Sequence, residues 1–104
     1  MLKLDKVPNA RQMRKLGFTS HREGYWNFCK RVGNNTTFNL TINKETGGYE
    51  TLVMNELFGQ PEYYGNMVPV YRVYTIAAID VVLHELARGG VVIEFNHAEY
   101  GGGQ

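Results

Sequence analysis

The segment TTFNLTIN, residues 36–43, has the clearest secondary-structure pattern in this chain, and the predicted fold is built on it. Its apolar residues Phe38, Leu40 and Ile42 alternate with polar ones, which is the two-residue period of a β-strand. A strand with this pattern buries one face and leaves the other in contact with water. The segment therefore predicts a half-buried strand.

Two neighbouring segments extend this strand into a sheet. Tyr25–Val32 is rich in aromatic residues, and Tyr49–Asn55 again alternates between apolar and polar residues. The short connections at 33–35 and 44–48 contain glycine and asparagine, the residues that tight turns favour. The three segments predict a three-stranded antiparallel meander.

Two segments have helical signals. Asn9 can cap a short helix over Ala10–Leu16, and Gly17 suits its left-handed end. Later, apolar residues recur at three- and four-residue steps across Thr75–Arg88. Thr75 can cap this main helix, and glycine follows its last residue.

The remaining segments complete a prediction of an α+β fold. Phe58–Pro69 contains two prolines and two glycines and is predicted to be a loop. Val70–Tyr74 has the composition of a short strand, and Val91–Phe95 is predicted to be a final short strand. The main helix should pack on one sheet face and leave the other partly open. We expect one domain over 1–100 and a flexible glycine-rich tail at 101–104.

Composition restricts the class of protein. A chain of 104 residues with 43% hydrophobic and 20% charged residues is typical of one globular domain. Cys29 is the only cysteine, which excludes an internal disulfide. No apolar run approaches the roughly 20 residues that span a bilayer, and the N-terminus has no secretion signal. We therefore predict a cytoplasmic protein without membrane contact.

The charge is divided between two parts of the chain. Residues 1–33 contain eight Lys or Arg and two acids, whereas residues 34–104 contain three Lys or Arg and eight acids. A net charge of +1 thus combines a +6 segment with a −5 segment. Such segregation favours an oppositely charged partner surface and would also allow two copies of the chain to associate.

The loop after the meander is the first candidate site. Tyr63 and Tyr64 are adjacent on a Pro/Gly-containing loop, and tyrosine provides contact area with a polar tip. The alternative is that one tyrosine packs as a lid over the meander while the other is simply exposed. The predicted partner-binding residues are Pro61, Glu62, Tyr63, Tyr64 and Met67.

The basic segment gives an alternative function, nucleic-acid binding. Basic side chains attract phosphates, and aromatic side chains beside them can stack on bases. The candidate residues are Arg11, Arg14, Lys15, Arg22, Tyr25, Trp26, Lys30 and Arg31. The competing interpretation is that Trp26 lies in the core and the charges are solvated; a pI of 7.9 is low for a nucleic-acid domain.

Catalytic and metal motifs are absent from the sequence. Arg88 stands where a zincin motif beginning at His84 requires its second histidine, and His97-Ala98-Glu99 has no paired cysteines after it. Asp80 and His84 suit a local ion pair on the main helix, and Cys29 suits a small core residue. An enzyme using His84, His97 and Glu99 is the third hypothesis; we predict no enzyme activity, cofactor or metal.

The segments 25–28, 38–42, 58–61 and 93–97 together resemble small uncharacterised proteins of phages and prophages of Gram-positive bacteria. The resemblance implies an accessory or inhibitor protein that binds a host or defence protein. It brings no catalytic residues. The preferred hypothesis is therefore a non-enzymatic protein-interaction domain.

Overall fold

The computed structural model describes residues 2–101. This part of the chain contains two α-helices, four β-strands and two short 3-10 helices. In chain order they are α1 (Ala10–Lys15), β1 (Tyr25–Gly33), β2 (Thr36–Asn43), β3 (Tyr49–Asn55), β4 (Gln60–Pro61), a 3-10 helix (Tyr64–Asn66), α2 (Pro69–Arg88) and a second 3-10 helix (His97–Tyr100). The predicted α+β class is confirmed. Of the predicted tail, only Gly101 lies within the described residues.

The sheet is an antiparallel meander with strand order β1-β2-β3-β4. Phe28 pairs with Leu40, and Leu40 pairs with Thr51 on the next strand. Asn35 has a φ of 57°, a left-handed conformation that asparagine tolerates better than most residues, in the turn between β1 and β2. The three predicted strands are confirmed, and the fourth is the two-residue β4 rather than 70–74.

One face of the sheet forms the core with α2. Phe38, Leu40 and Ile42 of β2 are at most 1% exposed and share one cluster with Ile79 and Leu86 of α2. Burying each such side chain contributes about 1.5–3 kcal/mol relative to leaving it exposed. The alternating apolar residues of segment 36–43 therefore form the sheet side of the contact with α2.

Helix α1 begins at the predicted residue and ends at Lys15, one residue before the predicted end. The Asn9 side chain accepts a hydrogen bond from the backbone N–H of Gln12 at 2.9 Å, and Gly17 has a φ of 104°. A two-turn helix is marginal alone and needs tertiary contacts. Met13, which is fully buried, supplies them.

Helix α2 begins six residues earlier than predicted. Pro69 is its first residue, where the missing N–H of proline has no helical partner to lose. The predicted strand Val70–Tyr74 therefore forms the first turns of α2. Thr75 is a buried residue inside the helix and not its cap.

The predicted final strand Val91–Phe95 does not form a strand. Its side chains still alternate, since Val91 is fully buried and Val92 is 68% exposed. The segment is held by other bonds, including one from the backbone N–H of Glu94 to the Tyr49 hydroxyl at 2.7 Å. The alternation here arises because one side of the segment packs on the core, although the segment pairs with no strand. The sequence pattern does not distinguish this case from a strand in a sheet.

The opposite face of the sheet is polar and partly open, as predicted. Strand alternation places Asn27, Asn39 and Thr41 on it, and the Thr41 hydroxyl donates to the Asn27 side chain at 3.4 Å. Cys29 belongs to the same face and is exposed. The expectation that Cys29 is a core residue was wrong, because strand alternation places it on the face opposite to buried Trp26 and partly buried Phe28.

Candidate functional site

A groove of about 520 Å³ lies between the loop after β3 and the first turns of α2. The ends of β2 and β3 close one side of it. A volume of this size falls in the range of small-molecule and cofactor sites, about 300–1,000 Å³. Its lining residues are Asn34, Thr36, Asn55, Phe58, Gln60, Pro61, Glu62, Tyr63, Asn66, Met67, Val68, Tyr71 and Thr75.

Four of the five predicted partner-binding residues line this groove: Pro61, Glu62, Tyr63 and Met67. Tyr63 is 53% exposed, whereas Glu62 beside it is only 8% exposed. The loop is anchored from β3, because the Glu62 N–H donates to the Val53 carbonyl at 2.8 Å. The groove therefore combines an exposed aromatic side chain with a buried carboxylate.

Tyr64, the fifth predicted residue, lies in the core and is fully buried. Its hydroxyl is 2.8 Å from Nδ1 of His97, and Nε2 of His97 is 2.8 Å from Oδ1 of Asp80. This chain of bonds joins the first 3-10 helix, α2 and the second 3-10 helix. Tyr64 is thus the packed tyrosine of the pair, and its predicted place at a contact surface is not what the structure shows.

The burial of Tyr64 predicts a pH effect on stability. Burial, then the charges of Tyr100 and Asp80, raise the pKa of the Tyr64 hydroxyl above its ordinary value of 10.0. Above about pH 10 the unfolded chain loses this proton while the folded protein keeps it, so the free energy of unfolding falls as pH rises. Below pH 10 this contribution is fully present.

Urea unfolding at about pH 9 and about pH 11 measures this effect, with Tyr64→Phe as the comparison. Other tyrosines and lysines titrate in both proteins, so the difference between the two slopes isolates Tyr64. We expect the phenylalanine variant to lose less stability between the two pH values. Equal losses would show that Tyr64 does not resist ionisation in the folded protein.

The sequence prediction missed several aromatic and apolar residues of this surface. Phe58 and Tyr71 line the groove and are 69% and 54% exposed. The composition of Val70–Tyr74 predicts a strand, and this prediction gives no reason to expect Tyr71 beside the loop. Further exposed residues follow on the outer side of α2: Val70, Val73, Tyr74 and Val81.

The candidate nucleic-acid residues do not gather on one surface. Trp26 is 4% exposed and is covered by Arg14 and by Lys44, whose Nζ is 4.2 Å from the ring centroid. The Arg22 guanidinium lies 4.2 Å from the ring of Tyr25, on the opposite sheet face. Lys30 and Arg31 also alternate between the two faces of β1. Among the described residues, the predicted basic side chains therefore do not surround an exposed aromatic ring on which a base could stack.

Among the described residues, no hydrogen bond joins His84, His97 and Glu99, the residues of the enzyme hypothesis. Asp80 bonds to His97 and not to His84, so the predicted local pair on α2 is wrong. His84 lines an open depression of about 410 Å³ along α2 with Asp80, Val81, Glu85 and Arg88. Among residues 2–101, no three His, Cys, Asp or Glu side chains are grouped as a metal site requires.

The chain is thus a small α+β domain with an open groove of about 520 Å³ beside its main helix. Within the described chain, no helix has both the length and the apolar character needed to cross a bilayer.

Among solved structures, the chain is similar to a DUF1831 family protein from Lactobacillus plantarum. The TM-score is 0.71 and the sequence identity 12%, over 91% of this chain and 86% of that chain. At this identity the likeness shows the fold alone. No protein-family model matches the sequence, and no curated protein matches it.

Proposed function

We propose that this protein is a protein-binding domain whose contact surface is the groove together with the outer side of the first half of α2. The observation that carries the proposal is a concentration of exposed apolar side chains. Of the eleven large hydrophobic residues exposed among residues 2–101, eight lie between positions 57 and 74. They are Leu57, Phe58, Tyr63, Val68, Val70, Tyr71, Val73 and Tyr74.

The composition of α2 supports this proposal. A helix on the surface of a globular protein normally has one apolar and one polar side. In α2, buried Ile79 and Val82 face the core, yet Val73 and Tyr74 on the outside are 65% and 68% exposed. Contiguous apolar surface of this kind marks interaction sites. Three exposed tyrosines, at 63, 71 and 74, match the aromatic enrichment of binding hot spots.

The position of the groove supports a macromolecular partner. Val68 and Tyr71 belong both to the groove wall and to the start of the exposed helix surface. The groove is therefore continuous with the exposed apolar residues of α2. A segment lying in the groove could continue along α2. The partner could be a second copy of the chain, in agreement with its charge segregation, or the host or defence protein that the phage resemblance implies.

Affinity capture with tagged protein tests the proposal, in lysate with and without nuclease treatment and at two salt concentrations. The captured protein is identified, purified and titrated against wild type and against the Tyr63→Ala/Tyr71→Ala double variant. We expect the double variant to bind at least about tenfold more weakly, because exposed tyrosines at a groove are typical hot spots. Sedimentation equilibrium across a concentration series tests a second copy as the partner.

The matched control is Tyr25→Ala, which removes an aromatic ring from the opposite sheet face. It should bind the partner as wild type does. Equal affinity of the double variant and wild type would overturn the proposal. Recovery of nucleic acid alone, lost at high salt and weakened by Tyr25→Ala, would support the nucleic-acid alternative instead. A protein that stays monomeric and captures no protein would also contradict the proposal.

A further inference from the structure

Glu62 is a buried carboxylate in the wall of the groove. The residue is 8% exposed, and it lines the cleft with the aromatic residues Phe58, Tyr63 and Tyr71. Its Oε2 accepts a hydrogen bond from the Asn55 side-chain amide at 2.9 Å, and its Oε1 accepts one from the Tyr63 N–H at 3.2 Å. An ionised carboxylate has about four acceptor sites, so these two bonds leave it with capacity for another donor.

No Lys, Arg or His nitrogen of residues 2–101 lies within 4 Å of this carboxylate. The one ion pair shorter than 4 Å among residues 2–101 joins His97 to Asp80. The nearest groups to Glu62 that donate hydrogen bonds are neutral, namely an asparagine amide and a backbone N–H. A buried charge without a partner lowers stability, and a cation supplied from outside would remove that cost.

The rest of the groove wall suits the same kind of ligand. The faces of tyrosine and phenylalanine rings attract cations, and Phe58, Tyr63 and Tyr71 contribute three aromatic side chains to the groove lining. Met67 and Val68 offer apolar contact to the methylene stem of a long side chain. An aromatic cleft with one carboxylate in its wall thus matches a cation on an apolar stem.

We propose that the groove binds an arginine or lysine side chain of a protein partner, with Glu62 as its counter-ion. This inference rests on the proposed function, because it names the chemistry of the segment that the protein-binding surface receives. Charge-assisted hydrogen bonds are stronger than neutral ones, and their geometry also provides specificity. Glu62 therefore selects partners with a basic residue, while the aromatic residues contribute contact area.

Nuclear magnetic resonance titration of the full chain tests the cation site directly. The probes are methylguanidinium and butylammonium, each compared with its neutral isostere, methylurea or 1-butanol, at constant ionic strength. The Tyr63 backbone amide and the Asn55 side-chain amide report binding, because both donate to Glu62. We expect saturable shifts of these two signals with the cations. Glu62→Gln should weaken the cation affinity about tenfold or more.

The matched control is Glu50→Gln, which removes the same charge from an exposed position on β3. It should bind the probes as wild type does. Equal shifts with butylammonium and 1-butanol, or no shifts with either cation, would overturn the cation site. Loss of binding in Glu50→Gln to the same extent as in Glu62→Gln would also overturn it, because the effect would then be one of net charge.

A selection of random displayed peptides on wild type and on Glu62→Gln separates this inference from the proposed function. Peptides with a basic residue should be enriched on wild type and not on the variant. Enrichment of peptides without basic residues would leave the protein-binding function standing and reject the cation site. Saturable cation shifts without any peptide enrichment would support the cation site and reject the protein-binding function. Failure of both measurements would reject both proposals.

Discussion

Trp26→Ala is expected to lower the free energy of unfolding by about 3–5 kcal/mol, the usual cost of removing a large aromatic side chain from a core. The residue is 4% exposed on the face of β1 that packs against the core. Its ring also has the Lys44 ammonium 4.2 Å and the Arg14 guanidinium carbon 5.5 Å from its centroid. The substitution removes both the apolar packing and these two cation–π contacts.

Urea denaturation followed by far-ultraviolet circular dichroism measures this loss, since removing the only tryptophan also removes the tryptophan fluorescence. Phe58→Ala is the comparison, because Phe58 is also aromatic but is 69% exposed. Its effect should stay within about 0.5 kcal/mol. A Trp26→Ala transition that coincides with that of wild type would contradict the core position of the ring.

Tyr64→Ala is the second substitution expected to cost about 3–5 kcal/mol. Tyr64 is fully buried, its ring lies 6.0 Å from that of Tyr100, and its hydroxyl bonds to His97. Truncation leaves a cavity and also removes the partner of His97 Nδ1. Tyr64→Phe keeps the ring and loses only the hydrogen bond, so a smaller loss of about 1–2 kcal/mol is expected.

The matched comparison is Tyr63→Ala at the adjacent position. Tyr63 is 53% exposed, so its removal should change the free energy of unfolding by about 0.5 kcal/mol or less while weakening partner binding. Chemical denaturation of the three variants measures the contrast. Equal destabilisation by Tyr63→Ala and Tyr64→Ala would contradict the assignment of one tyrosine to the surface and the other to the core.

The meander and the caps of α1 could be predicted because their causes are local. Alternation over residues 36–43 selects a buried face within one strand, and turn residues such as Asn35 set the connections within a few positions. Asn9 caps a helix that begins at the next residue. Each of these features depends on residues a few positions apart in the chain, so it can be predicted from the sequence.

The start of α2 and the segment 91–95 were wrongly predicted for the opposite reason. Pro69 is compatible with a loop or with a first helical turn, and β-branched and aromatic residues after it favour strands by propensity. The contacts that bury Thr75 and Ile79 decide in favour of the helix. Val91–Phe95 has the alternation of a strand but no neighbouring strand, and only the fold reveals that lack of a partner.

The loop composition predicts a partner-binding role for Pro61, Glu62, Tyr63 and Met67, and the structure places these four residues in the lining of one groove. Adjacent tyrosines carry no sequence signal that tells which of them enters the core. Tyr71 was missed because the wrong secondary structure placed it away from the loop.

The amino-acid sequence alone was enough to predict the α+β class, the three main strands and the division of charge along the chain. These follow from periodicity, turn chemistry and composition, which act over a few residues. Long-range packing places Tyr64 in the core, leaves Cys29 exposed and leaves Glu62 without a Lys, Arg or His nitrogen within 4 Å among residues 2–101. Burial and charge pairing depend on residues far apart in sequence, and their positions are set when the sheet, the loop and α2 pack together.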